Sequence, residues 1–576
     1  MISQDVQQIT APASSRWDYE VRLLAWLAVS VSVFSFLYYY RHGDILLYGD
    51  AVAHINIARR VFDSKTPGLL QLGTVWLPLP HLLILPFVVS DSLWRNGACG
   101  SLPSMVAYVL GVVGIFRLAR GVLPHHDAPG AVTRIGAWSA ALIYGANPNL
   151  IYIQATAMGE ALYLAFFIWA AVHFVEFARA VKSDESARSL TKCGLCLAAA
   201  CLTRYDGWFL AAVMVVGVVV VGSHPRKVDE DGAPRSLIPA SRKALVKFVL
   251  ITAAAPALWL AYNAIVYRNP LEFANGPYSA KAIEQKTGTV NPAKGNVLAA
   301  ASYFLKAAEL NVGQVNWQGR LWLALALVGS LVAWFSGRGR PALMLWAPLP
   351  FYALSVAYGS VPIYVPAWWP FSNYNLRYGL QLLPAFAVFV PLALSFLMKK
   401  AMALISMYEP SMKNGAWAKA AALTAILLVV GGSYGMIWRA EPVCYREASI
   451  NSRGRIALET QLASFLREIP PQATLLMYLG EHVGALERAG IPLRRVINEG
   501  NHRAWKQPVD PQGLWERALA DPAAYADYVV GFEGDRVWQA SKSRGLTALV
   551  EIHASGQSPA AIFLGRKPAP EQGSTR

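Results

Sequence analysis

The segment 21–54, VRLLAWLAVSVSVFSFLYYYRHGDILLYGDAVAH, sets the interpretation of the whole chain. Its first twenty residues are apolar enough to cross the roughly 30 Å of hydrocarbon in a bilayer. They lack a clear small-residue cleavage site, so we interpret 21–40 as a retained membrane span and not as a removed signal peptide. Directly after this span, Asp50 and His54 lie one helical turn apart. The sequence therefore places an acid and an imidazole just outside a membrane.

The composition of the 576-residue chain is that of a polytopic α-helical membrane protein. Hydrophobic residues make up 55% of it and charged residues only 15%, whereas soluble domains carry about 25% charged residues. The 19 Trp and 25 Tyr are typical of side chains at bilayer interfaces. The formal charge of +16 falls mostly in short loops between apolar segments. We therefore expect membrane lipids, and no nucleic acid, as partners.

About eleven segments are predicted to span the membrane, at 21–40, 102–119, 135–153, 158–178, 190–204, 207–222, 245–267, 321–336, 341–358, 378–398 and 417–438. The apolar stretch 81–94 is interrupted by Pro86 and Asp91, which indicates an interfacial or re-entrant helix. Basic residues concentrate in alternate short loops, including the polar loop 224–235. The positive-inside pattern then predicts a multi-pass protein of the inner (plasma) membrane whose amino terminus is cytoplasmic.

This topology divides the chain into two predicted domains. Residues 1–439 form the membrane domain, which has a first outer loop at 41–101 and a second at 268–320. Residues 440–576 form a soluble extracytoplasmic, or periplasmic, domain. Strand-like segments alternate there with helical ones, from ATLLMYLG (473–480) to AAIFLGR (560–566). That alternation predicts a small α/β fold with a mainly parallel sheet.

The polar residues that look out of place in the membrane domain all fall at its predicted outer side. Ionisable groups at membrane depth are costly and usually mark a functional cavity. We predict such a cavity from these residues: Asp50, His54, Glu160, Arg204, Asp206, Lys281, Arg377 and Tyr378.

Six of these residues also have a structural alternative that the sequence leaves open. Asp50 is suited to cap a helix at 51–62, and His54 to make a structural hydrogen bond. Arg204 and Asp206 have the spacing of a simple ion pair, and Arg377 that of a residue extending to the interface. The remaining alternatives are a helix–helix bond for Glu160 and interfacial anchoring for Arg59 and Arg60.

Five motifs resemble landmarks of the GT-C superfamily of integral membrane glycosyltransferases. They are YGDAVAHI, TAMGEALYLA, LTRYDGW, YNAIVYRNPLEFANGPYS and LRYGLQLLPA, and the resemblance covers about residues 20–400. The protein O-mannosyltransferases and the lipid A aminoarabinose transferases are the most similar in pattern. The resemblance implies a polyprenyl-phosphate sugar as donor and an acid of the first outer loop as catalytic base, which Asp50 matches by position. Many relatives carry an Asp-Glu pair there, whereas this chain has Asp50-Ala51.

We therefore predict an inverting glycosyltransferase that moves a sugar from a polyprenyl-phosphate-linked donor to a lipid, glycan or protein acceptor. Asp50 is the predicted base, and Arg204, Arg377 and Lys281 are predicted to hold the phosphate. The segment 81–94 is a candidate lining for the lipid chain. No cofactor is expected, although the sequence does not exclude a divalent metal. The alternatives are a transporter or flippase of lipid-linked glycans, a ligase of whole glycans, or a catalytically inactive glycan-binding relative.

Overall fold

The structure is a computed structural model that describes residues 14–123, 131–180, 183–223, 241–288, 290–337, 339–408, 416–480, 482–501 and 512–566. The predicted cytoplasmic loop 224–235 lies outside these residues. Helices dominate the membrane domain, and a small sheet lies near the carboxyl terminus.

The first part of the chain is a long helix followed by short ones. Helix α1 (Ser14–His42) carries the first apolar segment, and α2 (Gly49–Arg60), α3 (Leu79–Val88) and α4 (Asp91–Arg95) follow it. Helix α3 contains Pro86, and the side chain of Ser90 caps α4 by accepting a hydrogen bond from the Leu93 N–H. The predicted interruption of the stretch 81–94 is therefore a boundary between two helices.

Seven helices form the next part of the chain: α5 (Ala98–Val122), α6 (Ala131–Gly145), α7 (Pro148–Ile153), α8 (Glu160–Phe177), α9 (Ser183–Cys201), α10 (Asp206–Ser223) and α11 (Arg242–Tyr267). The predicted span 135–153 is not continuous, because the chain breaks between α6 and α7. The Asn147 side chain accepts hydrogen bonds from the N–H groups of Asn149 and Leu150 and so starts a new helix, with Pro148 at its first position.

The rest of the membrane domain begins with α12 (Glu272–Asn275), α13 (Ala280–Thr287) and α14 (Val297–Val312). It continues with α15 (Asn316–Phe335), a 3₁₀ helix (Arg340–Trp346), α16 (Pro348–Tyr358), a second 3₁₀ helix (Leu376–Leu382), α17 (Leu383–Tyr408) and α18 (Ala416–Arg439). The predicted outer loop 268–320 is thus largely helical.

Seven helices within the described residues are long and apolar enough to cross a membrane: Tyr19–His42, Ala98–Val122, Glu160–Phe177, Arg242–Tyr267, Asn316–Phe335, Arg340–Tyr358 and Leu376–Ala401. The chain is therefore an integral membrane protein, but the count of eleven spans is not confirmed. Helix α8 lies at the centre, with 83% of its apolar window buried, whereas α1 lies at the edge with 17% buried.

Helix α14 was not foreseen from the sequence, and it does not cross the bundle. At its amino end the Gly295 N–H donates to the Ala357 carbonyl, and at its carboxyl end Asn311 Nδ2 donates to the Leu376 carbonyl. Ala357 and Leu376 flank the same connection between α16 and α17. Both ends of α14 therefore lie at one end of the bundle, and the helix runs across that end.

The chain after the last membrane helix begins with α19 (Val443–Leu466). It then forms β1 (Leu475–Met477), α20 (Gly484–Ala489), β2 (Val496–Ile497), α21 (Leu514–Ala520), α22 (Pro522–Tyr525), β3 (Tyr528–Phe532), α23 (Arg536–Ser543), β4 (Ala548–Ile552) and β5 (Ala560–Leu564). Further 3₁₀ turns lie at Asp44–Leu46, Leu69–Leu72, Leu493–Arg495 and Glu499–Asn501.

The strand order is β2-β1-β3-β5-β4, and the sheet is mixed where a mainly parallel one was expected. Strand β1 pairs in parallel with β2 and β3, but β5 runs antiparallel to both β3 and β4. The reason is the short link between β4 and β5. Adjacent strands joined by so few residues pair as a hairpin, because a parallel pair needs a longer crossover.

This α/β region contacts the membrane domain through helix α2, at positions away from Asp50. Asn56 Nδ2 donates to Glu487 Oε2 at 2.8 Å, and the Asp63 carboxylate accepts from the N–H groups of Leu493 and Arg494. The α/β region therefore fixes the orientation of the helix that carries the predicted base.

Candidate active site

Arg377 lies at the centre of a buried cluster of charged residues at the end of the bundle crossed by α14. Its side chain is 8% exposed, and each of its three nitrogens donates to a different carboxylate. The Nη2 atom lies 2.7 Å from Asp50 Oδ2, Nε lies 3.1 Å from Glu160 Oε1, and Nη1 lies 3.1 Å from Glu447 Oε1. The predicted alternative, in which Arg377 extends to the membrane interface, is therefore wrong.

Arg204 forms the second half of the cluster. Its Nη1 atom donates to the same Glu160 Oε1 at 3.0 Å, so this one oxygen bridges the two guanidinium groups. Its Nε atom lies 3.2 Å from both oxygens of Asp206, and its Nη2 atom donates to the Tyr352 hydroxyl at 3.0 Å. The Arg204–Asp206 pair predicted from LTRYDGW does form, but as part of a larger network.

Tyr378 lies between the two arginines. The guanidinium carbon of Arg204 and that of Arg377 each lie 5.1 Å from the centre of its ring. A guanidinium within about 6 Å of an aromatic face is stabilised by the quadrupole of the ring. Tyr378 therefore fixes the spacing of the two cations, and Tyr48 supports Arg377 in the same way at 5.0 Å.

Asp50 is the most accessible acid of the cluster. Its side chain is 40% exposed, whereas those of Glu160, Asp206 and Glu447 are 0, 3 and 1% exposed. Helix α2 begins at Gly49, so Asp50 lies within its first turn, and the residue before the helix, Tyr48, makes no side-chain cap. The expectation that Asp50 caps a helix at 51–62 is therefore wrong, because its carboxylate turns to Arg377 instead.

His54 is buried beside the cluster, but its hydrogen bond goes elsewhere. Its Nδ1 atom lies 2.8 Å from Nε2 of His81, and its ring lies 5.0 Å from that of Trp76. Burial lowers the pKa of His54, although the nearby carboxylates of Asp50 and Glu160 oppose this. His54 is therefore neutral at pH 7, and its observed partner is His81 and not Asp50.

Lys281 is the one predicted phosphate ligand that the structure does not bring to the cluster. It is exposed in the first turn of α13, and none of the contacts described for this chain joins it to Arg204 or Arg377. Arg59 was predicted to be an interfacial anchor and is instead 2% exposed and paired with Asp63.

Glu447 and Tyr352 are the site residues that the sequence did not indicate. Glu447 lies in α19, beyond the last membrane helix, and its Oε2 atom accepts from the Leu376 N–H at 2.7 Å. Burial raises the pKa of Glu447, which Arg377 opposes. Its surrounding sequence, VCYREASIN, is an ordinary polar helix. Only the folding of α19 back over the bundle brings this acid to the site.

An apolar cavity of about 540 Å³ lies among the helices of the membrane domain. Leu349 and Pro350 in its wall precede Tyr352 on α16, and Leu305 follows Phe304, whose ring stacks on Tyr352 at 4.6 Å. The cavity therefore begins within a helical turn of a residue bonded to Arg204. Its other lining residues are Val213, Leu323, Leu327, Ser330, Leu343, Met344, Trp346 and Ala347.

The structure thus combines a half-exposed acid and two arginines held at a fixed spacing with an apolar cavity partly walled by α16, all within a multi-pass membrane protein. The fold is similar to that of a membrane glycosyltransferase of known structure. The chain aligns with two crystal structures of ArnT, a lipid A aminoarabinose transferase, from Cupriavidus metallidurans. In the form bound to undecaprenyl phosphate, the identity is 15% and the TM-score 0.52, over 96% of this chain and 98% of ArnT. In the apo form they are 16% and 0.52, over 96% and 100%.

These likenesses establish the fold. At a sequence identity of 15% to 16%, they do not assign a role to any residue of this chain. No family model matches the chain, and no curated protein matches it significantly in sequence.

Proposed function

We propose that this protein is an inverting glycosyltransferase that moves one sugar from a polyprenyl-phosphate carrier to an acceptor on the outer face of the inner membrane. The observation that carries the proposal is the cluster itself. A half-exposed carboxylate, Asp50, lies 2.7 Å from a guanidinium at the end of a membrane-embedded bundle. Sugar transfer from a lipid phosphate needs a base for the acceptor and fixed positive charge for the departing phosphate.

The reaction is a single displacement at the anomeric carbon. Asp50 takes the proton of the acceptor hydroxyl, and the acceptor oxygen forms a bond to the anomeric carbon. The bond from that carbon to the phosphate oxygen breaks at the same time, and its electron pair leaves with the polyprenyl phosphate. Attack from the side opposite the leaving group inverts the configuration. Arg377 and Arg204 stabilise the charge that develops on the phosphate.

The surroundings support distinct roles for the other members of the site. The apolar cavity beside Tyr352 suits part of a polyprenyl chain, since its walls are almost wholly apolar. Glu160 Oε2 is buried and has no hydrogen-bond partner among the described residues, so it has the capacity to accept from a sugar hydroxyl. The binding of undecaprenyl phosphate by ArnT, which shares this fold, supports the same class of lipid as the carrier here.

We further propose that transfer requires no metal ion. Each buried carboxylate of the cluster already bonds to a guanidinium, so the two arginines supply the positive charge that a metal otherwise gives. Activity should therefore survive treatment with EDTA. A loss on chelation that added Mg²⁺ or Mn²⁺ restores would contradict this part of the proposal.

The test is a transfer assay on the full chain reconstituted in lipid nanodiscs. The donors are undecaprenyl phosphates that carry different labelled sugars, and a bacterial envelope lipid fraction supplies the acceptor. We expect label to leave one of the donors and unglycosylated undecaprenyl phosphate to appear with it. Asp91→Asn is the matched control, because Asp91 is an exposed acid of the same outer region that bonds to Arg59 and not to the cluster.

Sealed proteoliposomes distinguish the enzyme from a flippase. A flippase moves the intact lipid-linked sugar between leaflets and leaves the bond to phosphate unbroken. Movement of this kind without the release of undecaprenyl phosphate, for every donor tested, would overturn the proposed function.

A further inference from the structure

Each nitrogen of the two arginines proposed to bind the donor phosphate already donates to a partner. Every nitrogen of Arg377 donates to a carboxylate, and every nitrogen of Arg204 donates to Asp206, Glu160 or Tyr352. Four carboxylates surround two guanidinium groups, which leaves an excess of two negative charges when all six are ionised. A phosphate that enters this cluster adds to that excess of negative charge unless it displaces one of the acids.

Three of the four acids are held too firmly to leave. Glu160 bridges both arginines through one oxygen and is 0% exposed. Glu447 also accepts from the Leu376 N–H and the Tyr48 hydroxyl. Asp206 also accepts from the Tyr352 hydroxyl at 2.9 Å. To displace any of them would expose a buried charge to an apolar surrounding, which costs several kcal/mol.

Asp50 differs from the other three on each count. Its bond to Arg377 Nη2 is the one polar side-chain contact that the described residues make with it, and its Oδ1 atom has no such partner. Its side chain is 40% exposed, so water solvates the carboxylate as soon as it turns away from the arginine. A rotation about its side-chain bonds is enough, since the backbone is fixed in the first turn of α2.

We propose that the Asp50–Arg377 ion pair is a lock that the donor phosphate opens. This inference rests on the proposed function and adds to it an order of events. The donor phosphate replaces Asp50 on Arg377 Nη2, and Asp50 turns toward the space in which the acceptor binds. While it is bonded to Arg377, the carboxylate of Asp50 is turned away from the acceptor. The base therefore comes into position only when a donor is in place, and the acceptor enters second.

The lock makes a prediction about binding that is separate from catalysis. Asp50→Asn removes the charge that competes with the phosphate, so this variant should bind undecaprenyl phosphate roughly threefold to tenfold more tightly than the unmodified protein. The loss of a nearby negative charge by itself also raises the affinity for a phosphate, so a gain supports the lock together with the bound structure described below. Binding is measured by microscale thermophoresis of the full chain in nanodiscs.

Asp44→Asn is the matched control for the effect of charge alone. Asp44 lies six positions earlier in the same outer region, and its Oδ2 atom accepts from the Tyr445 hydroxyl and not from either arginine. The lock predicts a gain in affinity for Asp50→Asn and none for Asp44→Asn. Equal affinities of Asp50→Asn and the unmodified protein, or equal gains in both variants, would overturn the lock.

A structure of the full chain bound to undecaprenyl phosphate gives the second readout. We expect Arg377 Nη2 to contact a phosphate oxygen and Asp50 to have moved out of hydrogen-bond distance. An Asp50–Arg377 contact still near 2.7 Å beside a bound phosphate would end the lock but leave the proposed transfer reaction intact. Failure of the unmodified protein and of Asp50→Asn alike to bind undecaprenyl phosphate would instead remove the proposed function, and the lock with it.

Discussion

Two buried arginines lie at opposite ends of helix α2, and their partners differ in kind: Arg59 belongs to its last turn, and Arg377 bonds to Asp50 in its first turn. Arg59 donates to the carboxylates of Asp63 and Asp91, and it also donates to the backbone carbonyls of Val88 and Val89 at the end of α3. Arg377 donates to three carboxylates and, among the described contacts, to no carbonyl. Both arginines are less than a tenth exposed, so burial alone does not separate them.

The difference lies in what a ligand can replace. A carbonyl at the end of a helix is fixed by the backbone, and Arg59 satisfies acceptors that the helix itself leaves unpaired. The guanidinium of Arg59 also packs on an aromatic ring, since its carbon lies 4.7 Å from the centre of the Trp94 ring. The partners of Arg377 are all side chains, and a phosphate accepts paired hydrogen bonds from a guanidinium as a carboxylate does. We therefore propose a structural role for the Arg59 cluster and phosphate binding for the Arg377 cluster.

The strongest test of this comparison replaces one acid bonded to each arginine. Asp50→Asn should lower the rate of sugar transfer by roughly 10²- to 10⁴-fold, the usual contribution of a general base. Asp91→Asn removes the exposed acid of Arg59 and should leave the rate within about twofold, because exposed ion pairs contribute little. Both are measured by the release of label from the lipid-linked donor. Equal losses in the two variants would abolish the distinction between the clusters.

A second test measures stability in place of activity. Asp63 is 1% exposed and is bonded to Arg59 and to the α/β region. Asp63→Asn leaves the Arg59 charge without its buried partner, so we expect a loss of about 3 kcal/mol in stability and a normal rate per folded molecule. Thermal unfolding in detergent followed by the transfer assay on the folded fraction checks both. A normal melting temperature with a reduced rate would place Asp63 in the catalytic site.

A third test exchanges each arginine for lysine. Lysine keeps the charge but cannot donate to three partners in one plane. Arg377→Lys should lower kcat/KM for the donor about tenfold, whereas Arg59→Lys should change it by less than twofold once the amount of folded protein is equal. Steady-state kinetics at varied donor concentration make the measurement. A larger effect from Arg59→Lys would reverse the assignment.

The smallest expected effect concerns Glu487, which bonds to Asn56 between the two clusters on α2. Its pKa is raised to about 8, mainly by burial and also by Glu459, while Asn56, Arg488 and Arg455 oppose the rise. A free glutamate titrates near about 4.3, so the folded protein holds this proton more tightly, and the contribution of Glu487 to stability falls as the pH rises from about 4.3 to 8. At pH values above that range, the protein has lost the whole contribution of the Glu487 proton to its stability.

Glu487→Gln removes this titration. The difference in melting temperature between the variant and the unmodified protein should increase in favour of the variant between pH 5 and 8. Glu468→Gln, at an exposed position, is the control and should track the unmodified protein. A constant difference across the range would show that Glu487 does not hold a proton at the contact with α2.

The sequence predicted a large part of this site, and for identifiable reasons. Asp50, Glu160, Arg204, Asp206, Arg377 and Tyr378 stand out because charged and polar groups beside apolar spans are costly, and the structure brings these six together. Their catalytic and binding roles remain predictions. Lys281 met the same criterion but lies away from the arginines, because its loop folds into α13 at the surface.

The sequence did not indicate Glu447 and Tyr352, because the cost of placing charged groups beside apolar spans does not single out either residue. Glu447 belongs to a polar helix in which one more acid is unremarkable, and Tyr352 lies in an apolar helix rich in aromatic residues. Helix α14 was missed for a related reason. It runs across the end of the bundle, so it needs neither the length nor the uniform hydrophobicity of a membrane span.

The sequence by itself determined that this chain enters a membrane many times and that its ionisable residues gather at one side. The length of an apolar segment and the cost of burying a charge within it depend on residues that are close in the sequence, so the sequence alone indicates both. Only the tertiary structure decided which acid contacts which arginine, that α19 returns to the site with Glu447, and that Asp50 is the most exposed of the four acids. Those outcomes depend on contacts between distant segments, such as that between Tyr48 and Glu447, 399 positions apart, and local pattern does not encode them.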